Sequence, residues 1–139
     1  MFAFGCIALV LLPPIADKWT IGYAWASDYG TVAQSAEMFA YLKKISPVHN
    51  VRGDRPYPAL LLCTSDHDDR VVPLHSYKFI SAVQATVAGH PQQSAPLLIR
   101  VEEKAGHGAG LPLAKKIVEQ ADTLAFMAKV LGAKGDWKQ

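Results

Sequence analysis

The sequence has few cysteines, almost no net charge, no long apolar run and no serine set between glycines. Each lack narrows what the protein does. Its two cysteines, Cys6 and Cys63, sit in apolar runs without motif spacing. That argues against a disulfide scaffold and predicts buried, reduced thiols in a cytoplasmic protein. A formal net charge of +2, with scattered lysines and no basic run beside stacking aromatics, gives no basis for a nucleic-acid partner. The apolar opening, MFAFGCIALVLLPP, is too short to span a bilayer. No Lys or Arg precedes it and no small-x-small cleavage site follows, so neither a membrane anchor nor a signal peptide is predicted. It reads as a strand buried on both faces. A chain that begins on a core strand reads as a piece of something larger.

What is present is enough for one core: 139 residues, half of them apolar, with no internal repeat or low-complexity tract. Apolar spacing predicts a helix over 33–45, followed by a turn-rich connector, SPVHNVRGDRPYP. PALLLCT (58–64) is a short continuous apolar run suited to a central strand. Residues 74–87 put Phe79, Ile80, Val83 and Val87 on one helical face. APLLIRVEE (95–103) reads as a second strand. A last helix is predicted over 112–131, with Pro112 in its first turn and a stripe that includes Ile117, Val118, Leu124 and Leu131.

Strands alternating with helices imply an α/β fold with parallel pairing. Two neighbouring parallel strands end at the same sheet edge, about 5 Å apart, and ligands bind outside those ends. One end carries Asp66, His67, Asp68, Asp69 and Arg70; the other carries KAGHGAG (104–110). Within that second loop, His107 stands between Gly106 and Gly108, which allow a sharp turn and keep bulk from the ring. Such a histidine can accept and return a proton near neutral pH. It works best when a carboxylate holds its other ring nitrogen. The acid cluster supplies that carboxylate, but chemistry alone does not choose among Asp66, Asp68 and Asp69. His67 amid three aspartates is one local cluster with no second histidine on a shared face, so no metal or cofactor is assigned.

An acid followed by a histidine, each after successive strands, is the chain order of α/β-hydrolases, in which a serine comes first. None of the seven serines has glycines two positions away on both sides, and neither cysteine has that context. The sequence therefore holds two thirds of a triad and no attacking group.

TIGYAWASDYG, ISPVHNV, DHDDRVVPLHSYKFI and PLLIRVEEKAGHGAG resemble the C-terminal part of the catalytic domain of the prolyl oligopeptidases, the S9 serine peptidases. The similarity runs from about Trp19 to Phe126, and IALVLLPPIADK fits poorly. The resemblance implies a partial α/β-hydrolase sheet over residues 1–139, without the nucleophile half of the domain or the β-propeller. It implies that Asp68 and His107 are the triad acid and base, leaving Asp66 and Asp69 no proton-transfer role. It further implies that Arg70 hydrogen-bonds a substrate carbonyl, Trp25 stacks on the substrate proline, and Tyr29 and Val71 line that pocket. The expected partners are short proline-containing peptides and the missing N-terminal half of the domain. Alone, the chain is expected to be inactive. Two other expectations stand beside this one: a non-catalytic fragment that binds a partner through its bare sheet edge, or a truncated product with no independent role.

Overall fold

The computed structural model describes residues 26–108 and 110–133. Its sheet is one parallel pair, β1 (Leu60–Ser65) and β2 (Leu97–Glu102), with Leu60 opposite Leu97 and Ser65 opposite Glu102. Both strands start two residues later than the apolar runs suggest. Pro58 and Pro96 precede them, and a proline has no N–H for the ladder. Pro96 contributes only its carbonyl, which accepts the Leu60 N–H at 2.8 Å.

The described helices are α1 (Ala26–Tyr29), α2 (Ala36–Ile45), α3 (Leu74–Val87) and α4 (Leu113–Leu131), with a short 3₁₀ turn at Pro47–Asn50. Helix α2 begins at Ala36 rather than at 33, because Ser35 is its cap. The Ser35 hydroxyl accepts the Met38 N–H at 3.1 Å, which satisfies a donor the helix itself cannot. At the other end the Asn50 amide donates to the carbonyls of Lys43, Lys44 and Ser46. The connector after α2 is therefore an ordered cap.

Helix α3 packs on β1 and β2 and supplies most of the core. Ile80, Val83 and Val87 are buried as the spacing predicts, against Leu62 of β1. The expected fourth member, Phe79, is only half-buried, and His75 takes a core position instead. Side chains alternate along a strand, so Leu62 turns to α3 and Cys63 to the opposite face. That corrects the expectation of a buried thiol: Cys63 is exposed. Cys6, Trp25 and the predicted first strand lie outside the described residues.

Residues 108–139 form a separate unit whose described helix is α4. Pro112 caps it from just outside rather than opening its first turn, and Gly132 closes it with a left-handed φ of +64°. The predicted apolar stripe is largely exposed, including Ile117, Val118, Leu124 and Leu131. Within its own unit this helix has no second described element to pack on. No helix among the described residues is long and apolar enough to cross a membrane.

Candidate active site

Because β1 and β2 are parallel, their carboxyl ends open at one edge, and the two loops that leave them are tied together. The ladder continues past the strands: Asp66 N–H donates to Glu102 O at 3.0 Å, and His67 N–H to Ala105 O at 3.1 Å. The Asp66 side chain reinforces the tie. Its Oδ1 accepts the Ala105 N–H at 3.2 Å and lies 2.7 Å from His67 Nδ1. The His67 ring and the backbone N–H groups of Lys104 and Ala105 hold the Asp66 carboxyl well below the usual carboxylate range.

Two residues on, Asp68 is held by its own loop. Its Oδ1 accepts the backbone N–H groups of Arg70 at 3.0 Å and Val71 at 2.7 Å. The same carboxylate faces His107 across the gap between loops, with Nδ1 2.8 Å from Oδ2 and 3.0 Å from Oδ1. The Asp68 side chain is 10% exposed and that of His107 32%. A carboxylate this sheltered, fixed by two N–H donors, makes a charge-assisted bond to the imidazole. An Nδ1–H that donates to Asp68 leaves Nε2 with the lone pair, ready to take a proton. Nε2 makes no hydrogen bond among the described residues.

The two glycines beside His107 are not equivalent. Gly108 has φ +81°, a left-handed conformation that disfavours any side chain. Gly106 lies outside that region, and a Cβ there would meet only the His67 carbonyl, at 3.8 Å. One glycine is demanded by the backbone and the other is not.

Of the residues singled out in the sequence, the structure brings Asp68 and His107 into direct contact and joins Val71 to them through its N–H. Arg70 donates its backbone N–H to Asp68 and leaves its side chain exposed. Tyr29 is 51% exposed on α1, and Trp25 lies outside the described residues. Asp69 is exposed. No group of three or more potential metal ligands occurs among the described residues. Sequence reasoning missed the Asp66 carboxylate as a tie between loops; its only signal was its place as the first residue beyond the strand.

Comparison with known proteins adds an independent line. A family model described as the prolyl oligopeptidase family matches residues 12–134. The prolyl endopeptidase of Elizabethkingia meningoseptica is 51% identical over 120 residues, which is 85% of this chain and 16% of that protein. Prolyl oligopeptidase A of Galerina marginata is 47% identical over 115 residues, 83% of this chain and 15% of that protein. Among solved structures, prolyl oligopeptidase B of Galerina marginata, a serine-to-alanine mutant bound to a 35-residue hydrolysis and macrocyclisation substrate, superimposes with a TM-score of 0.78 at 42% identity. The match covers 91% of this chain and 17% of that one. The same protein with an aspartate-to-alanine mutation, bound to a 25-residue macrocyclisation substrate, gives a TM-score of 0.73 at 42% identity over 88% of this chain and 17% of that one. The chain thus spans about a sixth of the length of the relatives it matches.

Proposed function

The chain belongs to the prolyl oligopeptidase family, and from that premise we propose that it carries the acid and base of a serine-peptidase triad acting after proline in short peptides. The observation that carries this reading is the 2.8 Å contact between His107 Nδ1 and Asp68 Oδ2 at the carboxyl edge of a parallel sheet.

In this reading His107 Nε2 takes the proton of a serine hydroxyl as that oxygen attacks the proline residue's own carbonyl, and then gives it to the departing amine of the next residue. Asp68 keeps the ring in the productive tautomer and stabilises the imidazolium. The serine comes from sequence other than these 139 residues, because none of the seven serines here has the glycine context of a nucleophile elbow. In the family that serine lies upstream of the acid and base. Replacement of a serine and of an aspartate in the substrate-bound Galerina structures is in keeping with this division of roles. Arg70 offers a planar fork of donors for a substrate carbonyl. Trp25 stacks on the proline ring, with Tyr29 and Val71 beside it. Without its serine the chain has no covalent step and is inactive alone. A cytoplasmic location belongs to the same reading, supported by cysteines without motif spacing.

The test is a chimera in which this chain replaces the matching segment of the Elizabethkingia meningoseptica enzyme. The reading predicts cleavage of a proline-containing fluorogenic peptide, abolished by His107→Ala. A folded chimera whose activity is indifferent to His107 would refute it.

A further inference from the structure

We propose that Asp66 is a positioning residue for the acid–base pair, acting through the backbone of the loop that carries His107. The inference rests on the assignment of Asp68 and His107 above and adds a group to which the resemblance gives no role.

Asp66 and Asp68 leave the same strand two residues apart and grip the same opposing loop in different ways. Asp68 holds the His107 ring at 2.8 Å. Asp66 holds the main chain that leads to that ring, accepting the Ala105 N–H at 3.2 Å. That main chain needs holding. Lys104 adopts φ +53°, making it the one non-glycine residue in the left-handed region among the described residues. Such a conformation persists for a lysine only when its surroundings over-determine it. Ala105 is 5% exposed, so water does not readily replace a lost acceptor for its N–H.

His67 completes the clamp. Its N–H donates to Ala105 O while its ring meets Asp66 Oδ1, so Ala105 is held by both its N–H and its carbonyl. Ala105 is two residues from His107, and Asp68 is fixed independently by Arg70 and Val71. Loosening Asp66 therefore moves the histidine while the aspartate stays in place. An orienting contact of this kind alters turnover more than substrate affinity.

The experiment has two readouts. In the 139-residue chain, proton NMR follows the low-field resonance of the His107 Nδ1 proton that Asp68 accepts. In the chimera, kcat and KM are measured separately. Asp66→Ala should broaden or abolish the low-field resonance and lower kcat on the order of 10- to 100-fold, the scale for removing a group that orients a functional ligand. KM should stay within about 2-fold of the starting chimera. Asp66→Asn, which keeps one acceptor oxygen, should retain most of both signals. Lys104→Gly should be silent alone and restore part of both signals to Asp66→Ala, since glycine occupies the left-handed region without a partner. Asp69→Ala is the control and should change neither readout. If Asp66→Ala does not fold, the Asp66→Ala, Lys104→Gly double variant is compared with Lys104→Gly, and an equal resonance and kcat in those two would overturn the proposal. An unchanged resonance and kcat in folded Asp66→Ala would overturn the proposal. A resonance that persists in Asp68→Asn would instead strike down the pairing itself, and the role of Asp66 would fall with it.

Discussion

Val71 donates its backbone N–H to Asp68 Oδ1 at 2.7 Å, on the carboxylate whose other oxygen meets His107. The Arg70 N–H joins it at 3.0 Å. The loop after β1 therefore fixes the rotamer of its own aspartate, and the histidine approaches a carboxylate already in place. Positioning and charge are separable at this residue, which gives a direct expectation.

Asp68→Asn keeps an Oδ1 acceptor for both N–H donors but no longer fixes the histidine tautomer. Stability should fall by no more than about 1.5–3 kcal/mol, the scale of one hydrogen bond to a charged group, whereas the chimera should lose on the order of 10⁴-fold in turnover. Asp68→Ala strips the two N–H groups as well and should cost about 1 kcal/mol more in stability, roughly one net hydrogen bond. Parallel urea titrations of the two variants check this.

His75 is 4% exposed, and its Nδ1 has no hydrogen-bond partner among the described residues. Burial, with a smaller contribution from Lys78, pushes its pKa below the ordinary value of 6.5. The folded state thus keeps His75 neutral where the unfolded chain has already taken up a proton. Stability rises with pH wherever the unfolded state binds more protons. Urea midpoints should therefore fall as pH drops below 6.5. His75→Leu should flatten that decline and raise the midpoint at neutral pH, since an unpartnered buried polar group costs about 1–3 kcal/mol. A wild-type midpoint that did not decline with acid, or a variant whose decline matched it, would contradict the account.

Asp66 has the opposite charge type. Its folded pKa is depressed, so its stabilisation is complete above the ordinary carboxylate value of 3.8 and is lost only as pH falls toward the depressed folded value. Hydrogen exchange at the Ala105 amide reports this directly. Protection should survive acidification through 3.8 and disappear below it. Early loss, above 3.8, would mean the carboxylate is not what holds that amide.

Gly108→Ala forces a side chain into the left-handed region and should destabilise the loop by about 1–2 kcal/mol, with a fall in chimera turnover. Gly106→Ala should be nearly neutral, because its Cβ would make only ordinary contact with His67 O. Equal effects at the two positions would show that the glycines serve bulk exclusion around the ring and not backbone geometry.

Much of this arrangement is legible in the amino acids. A continuous apolar run at Leu60–Cys63 and a second, interrupted by Arg100, at Leu97–Val101, with a helical stripe between them, suffice to predict two parallel strands ending at one edge. From there, Asp66–Asp69 and His107 must meet. Which aspartate reaches the ring is a matter of loop trajectory, which composition does not encode; the choice of Asp68 rests on a family likeness, and in the structure its Oδ2 lies 2.8 Å from the ring. Boundaries shifted where single residues act on the backbone: Pro58 and Pro96 at the strand starts, Ser35 at α2. His75 took a core position because an imidazole fills the helical face as an apolar ring would. Cys63 surfaced because strand alternation overrides its apolar neighbourhood. The Asp66 carboxylate meets the backbone of a loop 39 residues further along the chain, and the only trace of that contact in the sequence is its place just beyond the strand.

The central claim is that this chain supplies the acid–base pair to a serine held elsewhere. The most direct measurement is the rate of proline-peptide cleavage by the chimera, compared with its His107→Ala form. The account predicts measurable turnover that falls to the uncatalysed background when the imidazole is removed. A folded, serine-bearing chimera that cleaves equally well without His107 would contradict it.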